Sequence, residues 1–162
     1  MAIDFVYNVD FKLNNELTHK EWLVKAVNLE GYSLQNIVYA FFDDEALKQF
    51  NARFLNHNYY TDVISFNDSE DHKLKGNIAI SVDRVKENAK EFSSSFDDEL
   101  RRVMIHGLLH FMGYNDQTED EIKVIRPVSL HALNISSSDT FSRPILKLSL
   151  KVPESNLASC SK

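Results

Sequence analysis

An α/β fold built on a small mixed sheet is what this sequence predicts, on three observations. Short apolar runs with a period of two recur near residues 3–11, 38–42, 62–66 and 77–82. Between them lie segments whose apolar residues keep helical spacing. The 162 residues, 43% of them hydrophobic, suffice for one real core. The expected architecture is a four-stranded mixed sheet packed with about five helices.

Taken in order, residues 3–11 alternate around Phe5, Tyr7 and Val9 and read as a strand. Thr18 with Glu21 reads as a capping box opening a helix over 20–29, with Trp22, Leu23, Ala26 and Leu29 inward and Gly31 as its stop. A strand at 38–42 leads to a helix from Asp43 or Asp44 to about Phe54, burying Leu47, Phe50 and Phe54. Residues 62–66 and 77–82 are strands joined by the polar stretch 67–75. A helix over 83–92 turns Val85, Ala89 and Phe92 inward. Ser95 and Asp98 cap the next helix, anchored by Leu100, Val103, Met104, Leu108 and Phe111. A last helix begins at Glu119, and Pro127 is expected to stop it.

The composition changes near Arg126. The 37 residues 126–162 hold nine serines and a local charge of +3, against −9 for the first 125. This divides the chain into a hydrolase-like unit, 1–125, and a Ser-rich tail, 126–162, expected to be disordered and assigned no function. Leu146, Leu148, Leu150 and Val152 alternate and allow a stray strand in it. A net charge of −6 argues against a general nucleic-acid coat, though not against a local basic patch such as Lys86, Lys90, Arg101 and Arg102. With one cysteine, Cys160, no internal disulfide forms. No secretory signal or apolar run of membrane-spanning length is visible, so the expected location is cytoplasmic.

The chemistry concentrates in HGLLHFMGYND, residues 106–116. Histidines four apart on a helix leave one face, one turn apart. Gly113 offers a left-handed stop, after which the chain can return Asp116 towards His106 and His110. Two imidazoles and a carboxylate make a three-ligand set with an open fourth position, the pattern of a catalytic zinc site holding one Zn2+ per chain. His131 is an alternative third ligand. Gly107 occupies the place of the glutamate base in His-Glu-x-x-His proteases, which weighs against hydrolysis of peptides or small esters. A second constellation is LNHNYYTDVISF, residues 55–66. Thr61 and Ser65 there can present hydroxyls to a phosphate on one side of the sheet, and His57, Tyr59 and Tyr60 can stack on unpaired bases. For Thr61 and Asp62 the competing reading is a turn that caps the strand.

Both blocks resemble the YbeY family of bacterial rRNA maturation factors. His106, Gly107, Leu109, His110, Gly113 and Tyr114 fit its His-Gly-x-Leu-His-x-x-Gly-Tyr-Asp-His pattern, with Asp116 at the position of the third histidine ligand. Thr61, Asp62, Val63, Ser65 and Phe66 fit the other block; Gly76 and Asn77 resemble its Gly-Asp-Ile element. The family's arginine, six residues before the threonine, falls on Leu55, and Arg53 lies two residues earlier.

The resemblance implies a zinc-dependent, single-strand-specific endoribonuclease acting in rRNA processing. The expected substrate is small-subunit rRNA, chiefly its 3′ end, with a part in ribosome quality control. Ribosomal proteins or assembly factors are the expected partners. By the resemblance the metal ligands would be His106, His110 and Asp116; from the residues themselves, Thr61, Ser65 and Arg53 are catalytic candidates and His57, Tyr59 and Tyr60 candidate substrate contacts, the motif not extending to Arg53. The alternative is a ribosome-assembly binding protein whose metal only braces the fold.

Overall fold

The computed structural model describes residues 2–135 and 159–160. Its elements are β1 (Ala2–Tyr7), α1 (Glu16–Leu29), β2 (Ser33–Phe42), α2 (Asp44–Leu55), β3 (Val63–Asn67), β4 (Lys73–Ser81), α3 (Val82–Glu91), α4 (Phe96–Phe111), α5 (Glu119–Leu133) and β5 (Ser159–Cys160). The sheet order is β1-β2-β4-β3-β5. β1 and β4 run parallel to β2, and β3 runs antiparallel to β4 and to the two-residue β5. The mixed sheet and its five helices are as expected. None of the helices is long and apolar enough to cross a membrane.

Period-two alternation sorts the sheet into two faces. Ile37, Tyr39, Phe41, Val63, Ile78 and Ile80 face the main core, which α1, α3, α4 and α5 cover. Ile64 and Ala79 face the other way, against Leu47 of α2. The most buried helix is α4. It lies on β3 and β4, and a Cβ at Gly107 would stand 2.9 Å from Ile78 Cγ2 and 3.3 Å from Ser65 Oγ. The Tyr39 hydroxyl, wholly buried, donates to the Met104 carbonyl at 3.0 Å and fixes the helix from the sheet side.

Several boundaries differ from the sequence reading. α1 starts at Glu16 after Asn15 in a left-handed conformation (φ 54°), so Thr18 lies inside the helix rather than capping it. Ser95 does cap α4, accepting from the Asp98 N–H, but the reciprocal capping box is at Thr118 and Glu121, opening α5. Phe54 and Phe92, expected inward, are 54% and 61% exposed. Each closes its helix, where the core no longer reaches. Pro127 does not stop α5, which runs to Leu133. Pro127 and Lys123 both lie on the solvent side, so the Lys123 carbonyl that loses an N–H partner is open to water. Ile125, Val128 and Ala132 pin the inner side, and the Trp22 indole N–H donates to the Ala132 carbonyl at 2.8 Å. The boundary drawn at residue 125 therefore falls inside a helix. Most of the Ser-rich segment, with the alternating leucines 146–150, lies outside the described residues.

Gly107→Ala should overpack the contact between α4 and the sheet and cost about 1–3 kcal/mol of stability. Urea unfolding measures this; an unchanged midpoint would mean that the helix does not sit this close.

Candidate metal centre

The two histidines come from the last two turns of α4, and the acid comes from the turn that follows. α4 ends at Phe111 with Met112 as its C-cap, and Gly113 takes φ 90°, the left-handed conformation foreseen for it. The Tyr114 N–H then returns to the Leu109 carbonyl at 3.1 Å, which folds the chain back over the helix end. The turn is also tied from outside. The Tyr32 hydroxyl donates to the Met112 carbonyl (3.1 Å) and the Tyr114 hydroxyl to Glu30 Oε2 (3.1 Å). Neither tyrosine bond was legible in sequence, because each partner lies 80 or more residues away.

The result is a convergent donor set. His106 Nε2 lies 3.0 Å from Asp116 Oδ2 and 3.0 Å from His110 Nε2, and His110 Nε2 is 3.8 Å from Asp116 Oδ2. One ligand atom from each of the three lies within 4.8 Å of the others, a spacing that one metal ion can bridge. His131 is not part of this group. Both imidazoles are buried and Asp116 is half-buried. His110 Nδ1–H donates to the Tyr114 carbonyl at 2.9 Å, which fixes the tautomer and leaves Nε2 with its lone pair for a metal. Burial lowers the His110 pKa to about 4; the His106 ring adds to this, while Asp116 and the Tyr114 carbonyl oppose it. The neutral imidazole so maintained is the form that coordinates. Two nitrogens and one carboxylate oxygen make a donor set that could hold a divalent ion.

β3 supplies the neighbouring wall. Ser65 is 1% exposed, and its hydroxyl donates to the Gly107 carbonyl at 3.3 Å. The Thr61 hydroxyl, also buried, donates to the Val63 carbonyl. Asp62 is buried too, and its Oδ2 accepts from Arg102 Nη2 (3.2 Å) and Asn88 Nδ2 (3.3 Å). Arg102 in turn holds Glu99, with Nη2 at 2.7 Å from Oε1 and Nε at 2.9 Å from Oε2. Burial raises the Asp62 carboxyl and Glu99 adds to this, while Arg102 foremost and then His106 oppose it. The sequence reading gave Asp62 only a turn role and missed Glu99. The i, i+3 spacing of Glu99 and Arg102 was the one available signal. Arg101 lies over the Trp22 ring, 4.6 Å from its centroid, so the expected basic face divides.

The remaining candidates are not members of the donor set. Arg53 is exposed, with its guanidinium over Phe54. Leu55, at the position of the family's arginine, packs on the Leu47–Ile64–Ala79 cluster. The rings of His57 and Tyr59 stack at 5.2 Å. The Tyr60 hydroxyl donates to Glu45, and its ring lies against Lys48 and Arg84.

Fold and site together define a small mixed α/β protein with a two-histidine, one-carboxylate donor set, able to hold a metal ion, at the end of a buried helix. A protein-family model described as Endoribonuclease YbeY matches residues 8–134. The chain is 44% identical over 124 residues to Endoribonuclease YbeY of Christiangramia forsetii, covering 76% of this chain and 87% of that one. It is 40% identical over 124 residues to the Flavobacterium johnsoniae protein of that name (76% and 89% covered) and 43% over 119 residues to that of Karelsulcia muelleri (74% and 84%). The chain belongs to the YbeY family, a family of endoribonucleases. The solution structure of TM1509 from Thermotoga maritima shares the fold, with a TM-score of 0.56 at 21% identity, covering 86% of this chain and all of that one.

Between pH 6.5 and about 4 the unfolded chain carries a proton on His110 that the folded chain does not, so stability must fall as pH falls through that window. Urea midpoints of metal-free protein should show the decline, and His110→Gln should flatten it. A flat wild-type profile would contradict the burial of this ring.

Proposed function

We propose that this chain is a zinc-dependent endoribonuclease that cleaves single-stranded RNA in rRNA processing. Its proposed substrate is small-subunit rRNA near the 3′ end, as part of cytoplasmic ribosome maturation and quality control. The observation that carries the reading is the convergence of His106, His110 and Asp116 in a chain of this family. The three side chains would hold one Zn2+ through two nitrogens and one oxygen. When bound, the ion supplies Lewis acidity, which activates water near neutral pH and polarises a phosphoryl oxygen.

The chain's own residues do the rest. His110 keeps its coordinating nitrogen unprotonated through the bond to the Tyr114 carbonyl. The loop carrying His57, Tyr59 and Tyr60 offers rings for unpaired bases, and Lys48 beside Tyr60 offers a cation for phosphates, whereas Arg84 is paired with Asp44 at 2.8 Å. Thr61 and Ser65 shape the strand that walls the centre. A Cβ at Gly107 would point into Ile78, so a glutamate base has no room there, which weighs against peptide hydrolysis. One observation favours a second reading, an assembly factor with a bracing metal: Leu55 is packed in place of the family's arginine, and Arg53 lies over Phe54.

Single-stranded RNA incubated with the protein should be cut, with cleavage abolished by chelator and by His110→Ala. Uncut RNA together with a lower melting temperature on chelation would favour the brace. Asp116→His replaces a carboxylate by a neutral ring and raises the net charge of the loaded centre from +1 to +2, which makes activated water more acidic. The rate profile of that variant should move to lower pH, and an unmoved profile would refute the electrostatic reading.

A further inference from the structure

β3 runs alongside α4. Ser65 Oγ reaches the Gly107 carbonyl (3.3 Å) and Asn67 Nδ2 the Phe111 carbonyl (3.4 Å), so two residues of strand keep pace with four of helix. Just before the strand begins, Asp62 makes a 3.2 Å ion pair with Arg102 of the same helix. Arg102, His106 and His110 form a single i, i+4, i+8 stripe, so Asp62 meets the stripe one turn, about 6 Å along the axis, before the first ligand. The exposures there are 8% for Asp62 and 3% for Glu99. Two buried carboxylates thus share one guanidinium. Among the described residues Asp62 Oδ1 is fully buried and accepts no hydrogen bond. A buried carboxylate oxygen left in this state is a burden on the metal-free fold.

We propose that Asp62, which lies outside the ligand set, is an electrostatic determinant of metal affinity, its excess negative charge being balanced by the ion that His106, His110 and Asp116 hold. The charges on this group support this. Among the described residues Asp62 and Glu99 bring two carboxylates to the one guanidinium of Arg102, an excess of negative charge one turn from the donor set. Asp62 therefore acts on the ion through space as a positioning residue and costs stability when the ion is gone. The inference rests on the metal reading above and adds to it a residue that coordinates nothing.

Asp62→Asn keeps the shape and removes the charge. Zinc affinity, measured on the full chain by competition with a chelating indicator, should fall about 10-fold or more. The melting temperature of the metal-free variant should equal or exceed that of the wild type. Arg102→Gln shifts the balance the other way, so zinc should bind more tightly while the metal-free protein melts lower. Asp62→Asn that binds zinc as well as the wild type overturns the proposal. So does metal-free Asp62→Asn that is unfolded or melts lower, because the charge was then supporting the fold. Loss of affinity in both variants also overturns it, since that marks disturbed geometry rather than charge. A wild-type chain that takes up no zinc defeats the metal centre itself, a different result from these.

Discussion

The close seating of α4 on β3 and β4 is the constraint from which the rest follows. The absence of a side chain at Gly107 lets the helix come within reach of Ile78 and Ser65. Every residue of α4 from Val103 to Phe111 is buried as a consequence. Its exposed polar side chains are those of the first turn, Asp97 and Asp98, while Arg102, His106 and His110 share one stripe further along. Both histidines are on that stripe, so the geometry of the centre is inherited from packing that contains no polar chemistry.

Burial also dictates how each polar group on the stripe is satisfied. His110 uses one nitrogen for a carbonyl of the turn and turns the other inward. The turn can offer that carbonyl because Gly113 admits the left-handed conformation and because Tyr32 and Tyr114 tie it to the α1–β2 side of the core. Asp116 is thus delivered by a chain segment held at both ends. Preorganisation of this kind keeps a donor set together before any ion arrives.

Much of this was legible in the sequence, and the division is physical. The two histidines, the glycine and the acid lie within 11 residues, and local helical geometry alone brings them together. The sheet and helices were readable from periodicity. What could not be read depends on contacts between distant segments. The bonds from Tyr32 to Met112, from Tyr39 to Met104 and from Arg102 to Asp62 span 40 to 80 residues. Pro127 misled because its effect on a helix depends on which side it faces, and only the tertiary packing of Ile125 and Val128 decides that. Phe54 and Phe92 misled because periodicity cannot show where the core ends along a helix.

The position that separates this stripe from a zinc-protease helix is also the position that seats it. In a protease the residue after the first histidine carries the base. Here the corresponding Cβ direction runs into Ile78 and the Ser65 hydroxyl, so a longer side chain at 107 could not reach the donor set without lifting the helix from the sheet. The same contact that buries the histidines therefore removes the protein base beside them. The charged groups one turn before the histidines are Glu99 and Arg102 of the same helix and Asp62, which precedes β3 and pairs with Arg102. The donor set is thus assembled from the helix and the turn after it, while the buried ion pair beside it joins that helix to the residue that precedes β3.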